Sequence, residues 1–282
     1  MKSKLENILK EKIISSNSIG GGCIADTQKI TTESGKIYFI KQYTLSTIHR
    51  TEANGLRELT KANAIRIPKV IHQDDSFLIL EFIESNKQIK NFSEIFGRQF
   101  AELHKYSSDK FGFYEDNFCG STSQKNIPQK NNWTEFYFEN RLLFQYKLAE
   151  QNGYVSTEMK NVFIYLEKGI HNIIGGSEED PSLLHGDLWS GNYMTDEKGM
   201  PCLIDPAVYY GHREADLAMT KLFGNFGSDF YSAYQEAYLL AEGWEYRENI
   251  YKLYHIINHL NLFGMGYYRQ VIELMKFYEN SS

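Results

Sequence analysis

Only three cysteines, Cys23, Cys119 and Cys202, occur in 282 residues. They lie far apart, are odd in number and form no C-x-x-C pair, a spacing that argues against a disulfide framework and a zinc site. Reduced thiols are expected. No apolar run approaches the ~20 residues that a membrane span needs. The first residues, Met1-Lys2-Ser3-Lys4-Leu5-Glu6, lack the apolar core of a signal peptide. Like charges are nowhere massed: 30 basic residues stand against 36 acidic ones for a net charge of −6, so the electrostatic footprint of a nucleic-acid binder is missing. No internal repeat or low-complexity stretch appears. These absences lead us to expect a cytoplasmic protein with no membrane and no nucleic-acid partner, and they leave its oligomeric state open.

What remains is ordinary globular material. An apolar content of 42% with 23% charged residues suffices for one large core or two modest lobes. The chemistry concentrates between Leu183 and Pro206, LLHGDLWSGNYMTDEKGMPCLIDP. An acid, Asp187, an amide, Asn192, and a second acid, Asp205, stand between the short runs Ser182–Leu184 and Pro201–Ile204. Singly, each reads as a turn residue. Together their order matches a kinase-type phosphoryl-transfer centre, in which Asp187 takes a proton from a substrate hydroxyl while Asn192 and Asp205 hold Mg²⁺. Oxygen donors of this kind suit that ion.

The residues upstream are consistent with such a centre. Residues 2–14, with Leu5, Ile8, Leu9 and Ile13 at helical spacing, predict a short amphipathic helix. A glycine turn, Gly20-Gly21-Gly22-Cys23, leads into a strand; it matches neither G-x-G-x-x-G nor the Walker pattern, but glycines let backbone N–H groups approach a phosphate of ATP. Alternation over 36–41 places Lys41 on one strand face with Ile37 and Phe39. Over 48–62 a helical pattern puts Glu52 on one stripe with Leu56 and Leu59. A Lys41–Glu52 pair would satisfy both charges and aim the ammonium at ATP phosphates. Strands at 69–72 and 77–83 bring a small antiparallel sheet to about five, and by position Glu81, Phe82 and Ile83 form an adenine-holding hinge. Two lobes are expected, residues 1–86 binding nucleotide and residues 87–282, mostly helical, carrying the catalytic and substrate site. Helices are predicted over 92–106 with a structural His104, 132–150, 157–174, 229–242 and 244–280, and a long irregular loop over 107–131. Tyr251, Tyr254, Phe263, Tyr267 and Tyr268 read as core and helix-packing residues.

Only ten residues separate Asp205 from Asp216. A protein kinase needs a long activation segment after its metal aspartate, so the acceptor is expected to be small, or a small group displayed on something larger.

These segments, together with Ile204-Asp205-Pro206-Ala207, His185-Gly186-Asp187-Leu188-Trp189-Ser190-Gly191-Asn192 and Gly211-His212-Arg213-Glu214-Ala215-Asp216-Leu217-Ala218-Met219, resemble the fructosamine kinase (ketosamine kinase) family over nearly the whole chain. The resemblance implies an α+β, protein-kinase-like two-lobe fold shared with aminoglycoside phosphotransferases and choline kinases. It further implies ATP-dependent phosphorylation of the 3-hydroxyl of a ketosamine, small or protein-linked, whose product then falls apart and removes the glycation. Carried over, Asp187 is the base, Asn192 and Asp205 bind Mg²⁺, Lys41 and Glu52 orient phosphates, residues 81–83 hold adenine, and His185 and Asp216 support the catalytic loop. Asn225 stands where glycine is expected. Cys23, inside the glycine turn, is a candidate redox switch or simply a small residue filling it. An aminoglycoside- or choline-kinase-like enzyme is the alternative, and a pseudokinase is disfavoured because Lys41, Glu52, Asp187, Asn192 and Asp205 are all present.

Overall fold

The computed structural model describes residues 2–20, 25–43, 46–224 and 226–279. Gly21, Gly22, Cys23 and Asn225 lie outside the described residues, so the readings made of them are not addressed by it.

The first half of the fold is a helix, a sheet and a second helix. α1 (Lys2–Leu9) is followed by β1 (Ile13–Ser18), β2 (Ala25–Thr32), β3 (Ile37–Tyr43), α2 (Ser46–Lys61), β4 (Val70–Gln73) and β5 (Leu78–Glu81). The strands form one five-stranded antiparallel sheet in the order β1-β2-β3-β5-β4. The expected helix over 2–14 is therefore corrected: it stops at Leu9, Lys10 takes a left-handed φ of 56°, and Ile13 starts an edge strand. Alternation along β5 divides the interior. Ile79 joins Leu5, Ile13, Ile30, Ile40 and Phe77 beneath α1, whereas Leu78 and Leu80 point the other way with Ala53, Leu56 and Leu59 of α2 into the main core.

The second half is mostly helical. α3 (Phe92–His104) precedes a hairpin of β6 (Asn117–Cys119) and β7 (Thr122–Gln124), which replaces part of the irregular loop expected over 107–131. α4 (Trp133–Tyr137) runs through a π-helical stretch, Phe138–Leu143, into α5 (Phe144–Gln151), and α6 (Thr157–Ile174) follows. Next come the short strands β8 (Ser182–Leu184), β9 (Tyr193–Thr195), β10 (Pro201–Leu203) and β11 (Tyr209–Gly211), with β8 paired to β11 and β9 to β10. The chain closes with α7 (Arg213–Thr220), α8 (Ser228–Ala237), α9 (Trp244–Phe263) and α10 (Tyr268–Glu279). α8 ends at Ala237, earlier than the expected 242. The single long helix expected after Trp244 is also corrected, because Gly264 adopts φ +85° and a 3₁₀ turn, Met265–Tyr267, separates α9 from α10. Tyr251 and Tyr254 are core as read, but Phe263 is 60% exposed.

Close packing in this half depends on small residues. α3 and α8 touch at Gly97, where any Cβ would collide with the Phe230 carbonyl oxygen. No helix among the described residues is long and apolar enough to cross a membrane.

Candidate active site

Lys41 on β3 is 5% exposed, and a lysine so buried needs counter-charges. Glu52 on α2 supplies one, with Nζ to Oε1 at 2.8 Å. Asp205, in the loop after β10, supplies the second by a direct ion pair with the same ammonium. The Tyr43 hydroxyl donates to the other Glu52 oxygen, which fixes that carboxylate. Burial works against the Lys41 charge, but the Asp205 and Glu52 carboxylates outweigh it and hold the ammonium well above its usual range. Burial pushes the Glu52 carboxyl up, with Lys41 pulling against it. The sheet and the helical half thus meet at one ammonium group.

The loop after β8 is held by Asp216 of α7, which is 1% exposed. Its carboxylate accepts from the His185 N–H at 2.6 Å and the Gly186 N–H at 2.8 Å, and His104 Nε2 lies 3.2 Å away. Burial alone would raise Asp216, yet the hydrogen bond from His104, the two nearby imidazoles and the Gly186 N–H hold it below the usual carboxylate range. Gly186 has φ +83°, and a Cβ there would strike the Ala207 carbonyl oxygen. The His185 ring sets the other side: Nε2 lies 2.9 Å from the Ile204 carbonyl, and Nδ1 accepts from the Asp187 N–H at 3.3 Å. Those bonds assign the neutral Nε2–H tautomer, in keeping with the burial that lowers its pKa.

Asp187 and Asn192 then face each other. Asn192 Nδ2 donates to the Asp187 backbone oxygen at 2.8 Å and to its carboxylate at 3.2 Å. Burial first, and then the negative charge of Asp205, push the Asp187 carboxyl up to about 8, against hydrogen bonds from Asn192 and the Cys119 thiol. The Ile204 N–H donates to the Asn192 carbonyl at 3.0 Å, tying the end of the loop to the segment that carries Asp205. Asp205 itself has φ +56°, rare for a residue with a side chain and typical of functional turns.

At the expected hinge, the Glu81 N–H donates to the Lys69 carbonyl at 2.8 Å and its side chain pairs with Arg66, so its own polar groups are engaged. Phe82 and Ile83 follow β5 outside any strand, and neither N–H donates to another group among the described residues. Gly20 is exposed just past the end of β1, where the Ile19 N–H bonds the Thr27 carbonyl at 3.1 Å.

Several contributors were not read from the sequence. The β6–β7 hairpin braces the segment after Asp205: Asn117 donates to the Val208 carbonyl at 2.7 Å, and Gln124 to that of Ala207 at 2.9 Å. Asn-Phe-Cys-Gly-Ser-Thr-Ser-Gln held a turn signal at Gly120-Ser121, but with only three residues per strand no alternation develops. Tyr43 had no signal beyond its place on β3. Trp189, 38% exposed between Asp187 and Asn192, packs edge-on against Phe223. Cys119 and His255 join Asp187 only through the fold.

A family model described as fructosamine kinase matches residues 2–280. A chloroplastic protein-ribulosamine 3-kinase from Oryza sativa subsp. indica is 40% identical over 279 residues, spanning 95% of this chain and 79% of that protein. A solved structure from Thermobifida fusca, assigned to fructosamine-3-kinase, superposes with a TM-score of 0.90 at 28% identity, covering 99% of this chain and 98% of that one. A choline kinase from Streptococcus pneumoniae shares the fold at a TM-score of 0.67 and 18% identity, over 97% of this chain and 96% of that one. The architecture is accordingly the α+β kinase-like one, a small antiparallel-sheet lobe joined to a larger helical lobe.

Proposed function

The chain belongs to the fructosamine kinase family, and from that premise we propose that it transfers the γ-phosphoryl group of ATP to the 3-hydroxyl of a ketosamine. The observation that carries the reading is the convergence of Lys41, Glu52 and Asp205 from opposite halves of the fold at one ion-paired cluster, with Asp187 close enough for Asp205 to raise its pKa. Phosphoryl transfer asks for such positioning and charge compensation more than for covalent help.

The residues fit Mg²⁺. Asn192 commits its amide nitrogen to Asp187, which leaves its oxygen available, and Asp205 offers a side-chain carboxylate that is 40% exposed. Both are the hard oxygen donors this ion takes alongside phosphate oxygens. Bound there, Mg²⁺ would offset charge on the phosphates of ATP. Lys41, oriented by Glu52, reaches toward the same phosphates, and the N–H groups of Phe82 and Ile83, which find no acceptor among the described residues, suit the adenine edge. Asp187 accepts the proton of the acceptor hydroxyl as its oxygen bonds to the γ-phosphorus and the bond to ADP breaks. His185 and Asp216 position that loop. Trp189, two residues after Asp187 and 38% exposed, offers a ring for the sugar. The boundary between the lobes falls in the strand-free stretch around residue 86, the acceptor is a free or protein-linked ketosamine, and the wide, unpaired spacing of the cysteines favours a cytoplasmic protein.

The test is an acceptor panel measured by ADP release. Ribulosamine and fructosamine should support turnover with Mg-ATP; turnover with kanamycin or choline and not with ketosamines would overturn the assignment.

A further inference from the structure

A sulfur, an imidazole nitrogen and a carboxylate oxygen come together at Asp187. Cys119 at the end of β6, His255 on α9 and Asp187 each offer a donor atom, all within 4.8 Å of one another. Among the described residues this is the one cluster of three His, Cys, Asp or Glu donors close enough to hold a metal ion. Cys119 and His255 are each 3% exposed. Their elements are pinned together, because Asn258 of α9 donates to the Cys119 carbonyl at 3.3 Å and Tyr254 to Gln124 of β7 at 2.8 Å.

His255 carries a second, independent observation. Its Nδ1 is buried and has no hydrogen-bond partner among the described residues. An unsatisfied buried polar atom is destabilising, so it calls for a reason. A missing ligand is such a reason. In a tetrahedral zinc site, bonds of about 2.0–2.3 Å place donor atoms roughly 3.3–3.8 Å apart, so the cluster closes around an ion with small side-chain shifts. Sulfur and imidazole select zinc-like cations, whereas Mg²⁺ seeks oxygen.

We infer that Cys119, His255 and Asp187 form a site for a thiophilic divalent cation, Zn²⁺ by donor chemistry, separate from the Asn192 and Asp205 donors, and that its occupation withdraws Asp187 from turnover. Coordination forms a metal–sulfur bond and releases the thiol proton to buffer; the imidazole binds in its neutral form, and Asp187 gives up a proton if it carries one. The inhibitory half rests on Asp187 being the base. The binding half does not.

Co²⁺ titrated into the chelator-washed full chain provides the test. Wild type should develop thiolate-to-cobalt charge-transfer absorption, displaced by Zn²⁺ and not by Mg²⁺. Cys119→Ser should abolish the band and Cys202→Ala should retain it. His255→Gln should weaken Co²⁺ binding by more than about tenfold, since even outer-shell partners are worth that much, and it carries the test if Cys119→Ser does not fold. No band in wild type, or a band that survives Cys119→Ser, overturns the site and leaves the role of Asp187 untouched. In parallel, Zn²⁺ should inhibit ketosamine phosphorylation under excess Mg-ATP, reversibly with chelator, and Cys119→Ser should lose that sensitivity by more than about tenfold relative to its own zinc-free rate. A cobalt band with undiminished turnover keeps the site and removes Asp187 as the base, so the two readings fail separately.

Discussion

A carboxylate that must accept a proton works best when its proton affinity is raised towards the working pH. Asp187, the proposed base, has its pKa pushed up to about 8 by burial and by Asp205. In the free enzyme kcat/KM should therefore rise with pH through about 8. Once Asp205 is engaged by metal, its charge no longer opposes ionisation, so the break in kcat should fall at lower pH; identical breaks in both profiles would contradict the coupling. Asp187→Asn should cut turnover by ~10²- to 10⁴-fold and leave Mg-ATP affinity nearly intact. Its effect on stability has a definite sign. A carboxyl whose pKa is raised from about 4 in the unfolded chain to about 8 in the fold costs stability increasingly as pH rises through that window. Thermal melts should show Asp187→Asn gaining on wild type from pH 4 to pH 8, in a plot of midpoint difference against pH that is flat beyond either end.

Among the elements, α7 ties several parts of the helical half together through buried charges. Arg213 bonds Glu179 at 2.9 Å, Glu214 takes a bidentate pair from Arg247 of α9 at 2.7 and 2.8 Å, and Asp216 holds the loop that carries Asp187. The side chains of Arg247 and Glu214 are 5% and 6% exposed. Glu214→Ala strands a buried guanidinium and should cost about 3–5 kcal/mol in denaturant unfolding; a loss below ~1 kcal/mol would mean the pair is solvated after all. Regularity decided which elements could be read ahead of the structure. β3 and α2 have clean periods, so Lys41 and Glu52 were legible, and the spacing of Asp187, Asn192 and Asp205 marked the loop. β1 was not, because Ser15, Ser16, Asn17 and Ser18 are all exposed and only Ile13 is buried. Neither was the β6–β7 hairpin, too short for a pattern, nor the meeting of Cys119 with His255, which nothing local encodes. Phe263 misled in the opposite direction: an aromatic beside true core tyrosines, it faces solvent.

At the scale of the whole molecule the two halves share one charge cluster, so a ligand gripping both should stabilise the native state as a unit. Saturating Mg-ATP at ~100 times its Kd contributes about 2.7 kcal/mol. A thermal shift of that origin should survive in Asp187→Asn and shrink sharply in Asp205→Ala; equal shifts in wild type and Asp205→Ala would remove Asp205 from metal binding. Phosphorus NMR of a reaction with ATP and a ribulosamine tests the transfer itself. We predict one new phosphate-ester resonance, coupled to the proton on the third sugar carbon and appearing in step with ADP. Free inorganic phosphate in its place, with the ketosamine unchanged, would contradict the account.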